Sequence, residues 1–404
     1  MKKFLSVLVL LVCFISGCSC DNDNNKKVKP ISIFSYSVMA FSNKDNNYYT
    51  TTSPFGTYIK IAGYDEDDVY GIEEEFNELV FKYHSLLDRN YYYRDSDGAI
   101  INNIKVINDS YGSGEAILVD DIIIEILKEG IKYTKLSNGK FNIFAGKLVD
   151  TWDPRFSWLA GELYKVDPTE TEINEALACV PTVSEIDSVL VIDEVNKTVK
   201  FNAIEGCASS ASITLGALAK SYFLDKLNEV EDVRDLEDYI LDAGQSSIIV
   251  SGDNPTREGG VYNIAITNSL VGGLAVHIQL SDDGAISTSS GDQKGYIKED
   301  GTKRHHIIDA TSGYPNTYLL AATVVSDSAM IADIMTTTLM TMESMEEIKA
   351  YLTLLQNNGV NAKVLLQVKE NDSLKVYINS SMKSVVGQVV EGVKVEEFNY
   401  GAQA

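Results

Sequence analysis

Positive charge is scarce in this chain of 404 residues: 34 lysines and arginines stand against 58 aspartates and glutamates, a formal net charge of −24. A surface of that sign repels nucleic-acid phosphates, and no basic stripe interrupts it, which excludes DNA and RNA as partners. Cysteine is sparse too, at five. Cys13, Cys18 and Cys20 crowd the N-terminus, which leaves Cys179 and Cys207 for the folded part. Two cysteines are able to pair in an oxidising compartment, but they make no disulfide framework and have no metal-site spacing. The apolar run Phe4 to Ile15 falls short of the roughly 20 residues that a bilayer-spanning helix needs. There is no internal repeat and no second long linker.

What is present belongs to a globular protein. Hydrophobic residues make up 45% of the chain and aromatics 9%, enough for a sizeable core. The length suits one large domain or two smaller ones. At the N-terminus Met1-Lys2-Lys3 precedes the apolar run, and Ile15-Ser16-Gly17-Cys18 has the lipobox pattern of small residues before an acylated cysteine. The expectation is a lipoprotein signal peptide over residues 1–17 and a lipid on Cys18. That places the protein in the cell envelope, anchored to a membrane and facing the periplasm or the exterior. An ordinary secretory signal with an incidental Cys18 is the weaker reading. Removing residues 1–17 takes Lys2 and Lys3 away and moves the charge from −24 to −26. A lipid would then supply the membrane affinity that such a surface cannot draw from anionic headgroups. The polar stretch Asp21 to Pro30 reads as a stalk, giving a tether over 18–45, a main folded domain over 46–395 and a tail over 396–404.

Periodicity predicts a strand at about Thr57–Ala62, then a helix carrying Ile72, Phe76, Leu79, Val80, Tyr83 and Leu87 on its apolar face. A second helix over about Asp120–Leu136 ends at Asn138-Gly139, and a third covers about Leu215–Leu227. Tyr296–Lys298 and Lys303–Asp309 flank the turn pair Asp300-Gly301 as a hairpin. A further helix runs from Ser326 or Asp327 to about Met342, and Ser344-Met345-Glu346-Glu347 opens the next as a capping box. Strands at about Ala362–Val368 and Leu374–Asn379 close the domain. Helices and strands mix without regular alternation, which points to an α+β fold.

Three segments carry chemistry. Asp333 sits in a helix that is apolar on nearly every side, where an ionised carboxylate costs several kcal/mol unless a partner meets it. Thr337, four residues on, shares its face, and a carboxylate with a hydroxyl suits a hard cation such as magnesium. An Asp that only hydrogen-bonds a neighbouring loop fits the same spacing. The segment Lys303 to Pro315 holds two of the chain's four histidines, His305 and His306, beside Asp309. A strand-end histidine is suited to act as a base near neutral pH, although a structural pair stabilising the turn is the plainer reading. Ser287-Thr288-Ser289-Ser290-Gly291-Asp292 reads as a hydroxyl-rich loop whose backbone N–H groups could approach phosphate. Lys220, a turn into its helix, could meet the same phosphate or remain a solvated surface lysine.

Six blocks in this chain resemble, in order, the FAD:protein FMN transferase family, often called ApbE, from about Pro54 to Met382. They are Phe55-Gly56-Thr57; Asn138-Gly139-Lys140-Phe141-Asn142; Leu215 to Lys220; Ser289-Ser290-Gly291-Asp292; His305 to Asp309 with Gly313-Tyr314-Pro315; and Ala332-Asp333 with Thr337. The resemblance implies a single large mixed-sheet domain of T-fold-like type. It also implies a magnesium-dependent transfer of FMN from FAD to a threonine or serine of an exported acceptor protein of a flavin-dependent redox system, releasing AMP. Magnesium would be held by Asp333, Thr337 and the backbone carbonyl of Ala217. Flavin and pyrophosphate contacts would fall on Phe55, Lys140, Phe141, Asn142, Thr214, Lys220 and Ile307. His306 would be the base, with Asp309 of the same block in the catalytic set.

The chain departs from the family's usual residues at several positions. The family usually has Met at Phe55, Asp at Asn142 and at Thr214, Gly at Ser221 and at Gln245, and Arg at Gly295. Two other functions need the same phosphate site: a magnesium-dependent FAD pyrophosphatase and a flavin-binding lipoprotein without chemistry. A solute receptor is disfavoured by the ordered blocks.

Overall fold

Nine strands form a central sheet, and their order across it is their order along the chain: β1 (Phe34–Val38), β2 (Ile59–Gly63), β3 (Tyr239–Ala243), β4 (Ser247–Ser251), β5 (Gly284–Ser290), β6 (Ala321–Ser326), β7 (Lys363–Glu370), β8 (Ser373–Asn379) and β9 (Lys394–Phe398). Neighbours run antiparallel except β8 and β9, which are parallel. This computed structural model describes residues 32–45, 48–281 and 283–401, so the signal segment and Cys18 lie outside the described residues. Among the described residues, no helix is long and apolar enough to cross a membrane.

Side chains alternate between the two faces of the sheet with the period of two that a strand imposes. Val324 of β6 and Leu366 of β7 join the core that includes the helices, while Val325 and Leu365 join the core on the other face. That second face is covered by a small sheet of Tyr262–Thr267, Leu274–Leu280 and Val386–Val389. The helices α1 (Glu73–Leu87), α2 (Asp121–Leu136), α3 (Ala219–Asn228), α4 (Ala329–Leu339) and α5 (Met345–Asn357) bring the site together, and α4 packs on β5, β6 and α3. The architecture is α+β around one large mixed sheet, in agreement with the sequence pattern.

Local signals account for the ends of these helices. Asp120 caps α2 by accepting from the Ile122 amide, and Asn138 (φ 52°) and Gly139 (φ 85°) leave it through left-handed backbone. Ser344 caps α5 through the Glu347 amide at 3.2 Å. The Glu347 carboxylate turns back to the Glu343 amide instead of closing the reciprocal bond of a capping box. Cys179 and Cys207 form a disulfide, which settles a pairing that their spacing left open.

Three expectations need correction. β1 and the hairpin Phe41–Asp45/Tyr48–Thr52 occupy part of the supposed tether, so the folded unit begins near Phe34 and not at 46. β9 likewise runs into the supposed tail at 396. Ser287 to Ser290 is strand, not loop: Ser287 to Ser290 pair with Val324 to Ala321 of β6.

Candidate active site

The edges of these elements enclose a cavity of about 610 Å³. Its wall takes Phe55 and Thr57 from the turn before β2, Lys140 to Asn142 from the loop after α2, Thr214 and Ala217 from the approach to α3, and Lys220 from its first turn. Thr288 to Ser290 of β5, Lys294, His306 to Ile308, and Asp333 and Thr337 of α4 complete it. Every candidate cofactor- and metal-site residue therefore faces one space, as does His306. Asp309 is the exception.

Asp333 is buried, and its partners are well defined. Oδ2 accepts from the Lys220 ammonium and, at 2.9 Å, from the Ser221 hydroxyl. Oδ1 has a 3.3 Å contact from Ser287 Oγ, but that hydroxyl has a single proton and lies closer, at 3.0 Å, to the Ser246 carbonyl. Oδ1 is thus the oxygen available to a further ligand. Ala217 and Thr337 line the cavity with it. No group of three His, Cys, Asp or Glu side chains that could hold a metal occurs among the described residues. Asp333 and Thr337 nevertheless bring a carboxylate and a hydroxyl to the same wall, hard-oxygen donors of the kind used by a cation that keeps water and phosphate oxygens as its remaining ligands.

The two histidines separate cleanly. His305 is buried, its Nε2 donates to the Asn316 carbonyl at 2.6 Å, and its Nδ1 accepts from the Ile307 amide at 3.3 Å. Loss of hydration in that site holds its pKa down to about 4, so it stays neutral and structural. His306 lines the cavity with its ring exposed there. Its Nδ1 lies 3.3 Å from the Lys294 carbonyl, which assigns the proton to Nδ1 and leaves Nε2 as the lone-pair nitrogen. The surrounding protein, more than the Lys294 and Lys220 charges, lowers its pKa below the usual histidine value.

Asp309, expected beside His306 as a catalytic group, stands behind the wall. Its Oδ2 pairs with Lys140 at 3.0 Å, and its Oδ1 accepts from the Thr311 amide and hydroxyl. Burial opposes the charge on Lys140, but Asp309 and then Glu347 outweigh it and raise the lysine's pKa. Asp309 therefore holds a cavity cation in place. Asn142 is buried and caps its own loop through the Phe144 amide at 2.9 Å, while the Thr214 amide donates to the Ile143 carbonyl at 2.7 Å.

The departures acquire physical meaning. Gln245 has φ 62°, a backbone conformation that glycine adopts without strain. Ser221 supplies a hydroxyl to Asp333 that glycine could not. At Gly295 a Cβ would sit 2.3 Å from the Arg304 carbonyl oxygen. The sequence reading missed Ser246, whose carbonyl accepts from Ser287 beside Asp333, and Asp167, which anchors the hairpin before His306. Nothing in their local sequence distinguishes them from other loop and strand residues.

The fold and cavity define an α+β protein with a cleft lined by lysines, hydroxyls and one buried carboxylate, a class of site suited to a phosphorylated ligand. The chain belongs to the ApbE family, which matches residues 55–363. It is 28% identical over 279 residues to a FAD:protein FMN transferase of Vibrio cholerae, covering 68% of this chain and 75% of that protein. It is 22% identical over 335 residues to one of Haemophilus influenzae, covering 82% and 85%. In fold it is similar to the ApbE protein of Thermotoga maritima (TM-score 0.63, 20% identity, 86% of this chain and 98% of that one). The flavin transferase ApbE of Vibrio cholerae is equally similar, with TM-score 0.62, 23% identity, and 87% and 99% covered.

Proposed function

We propose that the protein is a FAD:protein FMN transferase that moves FMN from FAD to a hydroxyl of an acceptor protein. The observation that carries this is the convergence of Asp333, Thr337, Lys220, His306 and the Phe55 turn on one cavity. FAD lies with its pyrophosphate toward Lys220 and Asp333 and its flavin toward Phe55 and the Lys140 to Asn142 loop. Asp333, Thr337 and the Ala217 carbonyl would hold magnesium, which would supply positive charge to the pyrophosphate.

The acceptor is a threonine or serine. His306 Nε2 takes the hydroxyl proton as that oxygen bonds to the FMN-side phosphorus, the pyrophosphate bridge breaks, and AMP leaves. Lys220 remains to balance the charge shed by the leaving group. The acceptors are exported subunits of flavin-dependent redox systems, reached from a membrane through lipid on Cys18.

Incubation of the purified protein with FAD, magnesium and an acceptor domain tests this. A fluorescent acceptor band on a denaturing gel that vanishes with EDTA supports transfer. Steady AMP release that the acceptor does not alter makes the protein a FAD pyrophosphatase instead. Bound FAD without AMP overturns both and leaves a flavin-binding lipoprotein.

A further inference from the structure

The geometry points to buried His84 as a positioning residue for the flavin pocket, one that holds Phe55 in a left-handed turn at the cavity wall. This rests on the reading that the cavity takes FAD. Phe55 has φ 51° and ψ 25°, a conformation that a bulky residue keeps only when its surroundings impose it. The turn's own bonds, Gly56 amide to Ser53 carbonyl and Thr57 amide to Pro54 carbonyl, do not use the Phe55 amide. That amide donates to His84 Nδ1 at 3.2 Å. The Phe55 ring stacks on Phe223 and meets His84 edge-on, with centroids 5.5 and 5.4 Å apart.

A directional relay extends behind the histidine. Because Nδ1 accepts, Nε2 carries the proton, and it lies 3.0 Å from the Tyr93 hydroxyl. Tyr93 in turn donates to Asp88 Oδ2 at 2.7 Å. Tyr93 is fully buried, and His84 and Asp88 nearly so; none of the three lines the cavity. Burial lowers the pKa of His84, in keeping with the neutral ring that the relay requires. The relay thus reaches the ligand only through Phe55, by its amide and its ring edge, which separates it from the groups that touch FAD.

Two substitutions split it. His84→Asn keeps an acceptor near the position of Nδ1 and loses the reach to Tyr93, whereas His84→Gln keeps that reach and loses the acceptor for Phe55. Both should lower the urea midpoint, so stability alone does not distinguish them. His84→Gln is expected to raise the KM for FAD about tenfold with kcat within about threefold, and His84→Asn to stay within about threefold on both. In a Phe55→Gly background, where left-handed backbone costs nothing, His84→Gln should add no further loss. Equal losses in Asn and Gln, or unchanged KM in both, overturn the relay while leaving the FAD reading intact. Wild-type protein that does not quench FAD fluorescence on titration overturns the FAD reading, and the relay falls with it.

Discussion

The Lys220 ammonium and the Asp333 carboxylate meet side chain to side chain between α3 and α4, on the wall of the cavity that Thr337 also lines. The pair explains how an ionised acid survives in so apolar a helix, since burial of a lone carboxylate is costly. It also makes the two residues unequal under mutation. Asp333→Asn keeps a hydrogen-bond acceptor for Lys220 but loses the anionic ligand. It should lower divalent-dependent AMP release by at least about 100-fold while the melting temperature stays near wild type. Lys220→Ala strands the carboxylate and should destabilise by about 3 kcal/mol, part of which added magnesium restores. A calorimetric scan of both variants with and without magnesium checks this; unchanged turnover in Asp333→Asn would remove the assigned site.

His306 leads to a prediction about pH. Its pKa lies below the usual 6.5, so the ring is already neutral, and able to accept a proton, at pH 7. Activity should be flat across neutral pH and fall only as acid protonates the ring below pH 6.5. His306→Ala should slow kcat by about 100-fold or more, change FAD affinity little, and abolish that acid limb. Pre-steady-state acceptor labelling against pH, with fluorescence titration of FAD alongside, separates the two. Equal losses in binding and rate would assign His306 to binding.

Asp167 shows how chemistry can depend on a residue outside the cavity. Its carboxylate accepts from both Arg304 nitrogens that reach it, from the Tyr296 hydroxyl at 2.6 Å and from Lys298 at 2.9 Å. These tie down the hairpin Gly295–Ile297/Lys303–His305, which leads directly into His306. Burial alone would raise its pKa, but the bonds from Arg304, Tyr296 and Lys298 bring it down to about 2. Because the folded value lies below the ordinary 3.8, the stabilisation is complete above pH 4 and is lost as pH falls toward 2. Asp167→Asn should flatten the stability profile in that window and lower kcat about tenfold through misplacement of His306. Acid titration followed by circular dichroism measures the first, and turnover at pH 7 the second.

The chemistry-bearing blocks were legible because each is a short contiguous motif on a helix start, a strand end or a tight turn. Pairings between distant segments were not. Lys140 and Asp309 are 169 residues apart, and nothing local to Asp309 separates a base's partner from a lysine's anchor. Ser287 and Thr288 read as loop because small hydroxyl residues favour loops. In the sheet their hydroxyls are satisfied by Ser246 and, across the strands, by Thr323. β9, Lys-Val-Glu-Glu-Phe, is so charged that only pairing with β8 reveals it, and the polar sequence before β1 hid where the fold begins.

Gly295 offers the sharpest contrast between resemblance and structure. The family's usual arginine there makes Gly295→Arg look like a repair. The hairpin says otherwise. Gly295 pairs with His305, and a Cβ at 295 would lie 2.3 Å from the Arg304 carbonyl oxygen and 3.2 Å from the His305 Cα. Backbone atoms cannot swing aside as a side-chain tip can, so the strands must part or shift register. Arg304 would then lose its hold on Asp167, and His306 would leave its position beside Lys294. Gly295→Arg should destabilise by about 2 kcal/mol and lower kcat without tightening FAD. Even Gly295→Ala should show most of the stability loss, because the clash begins at Cβ. A melting temperature unchanged in Gly295→Ala, or FAD bound more tightly by Gly295→Arg, would mean that the hairpin yields more readily than its geometry requires.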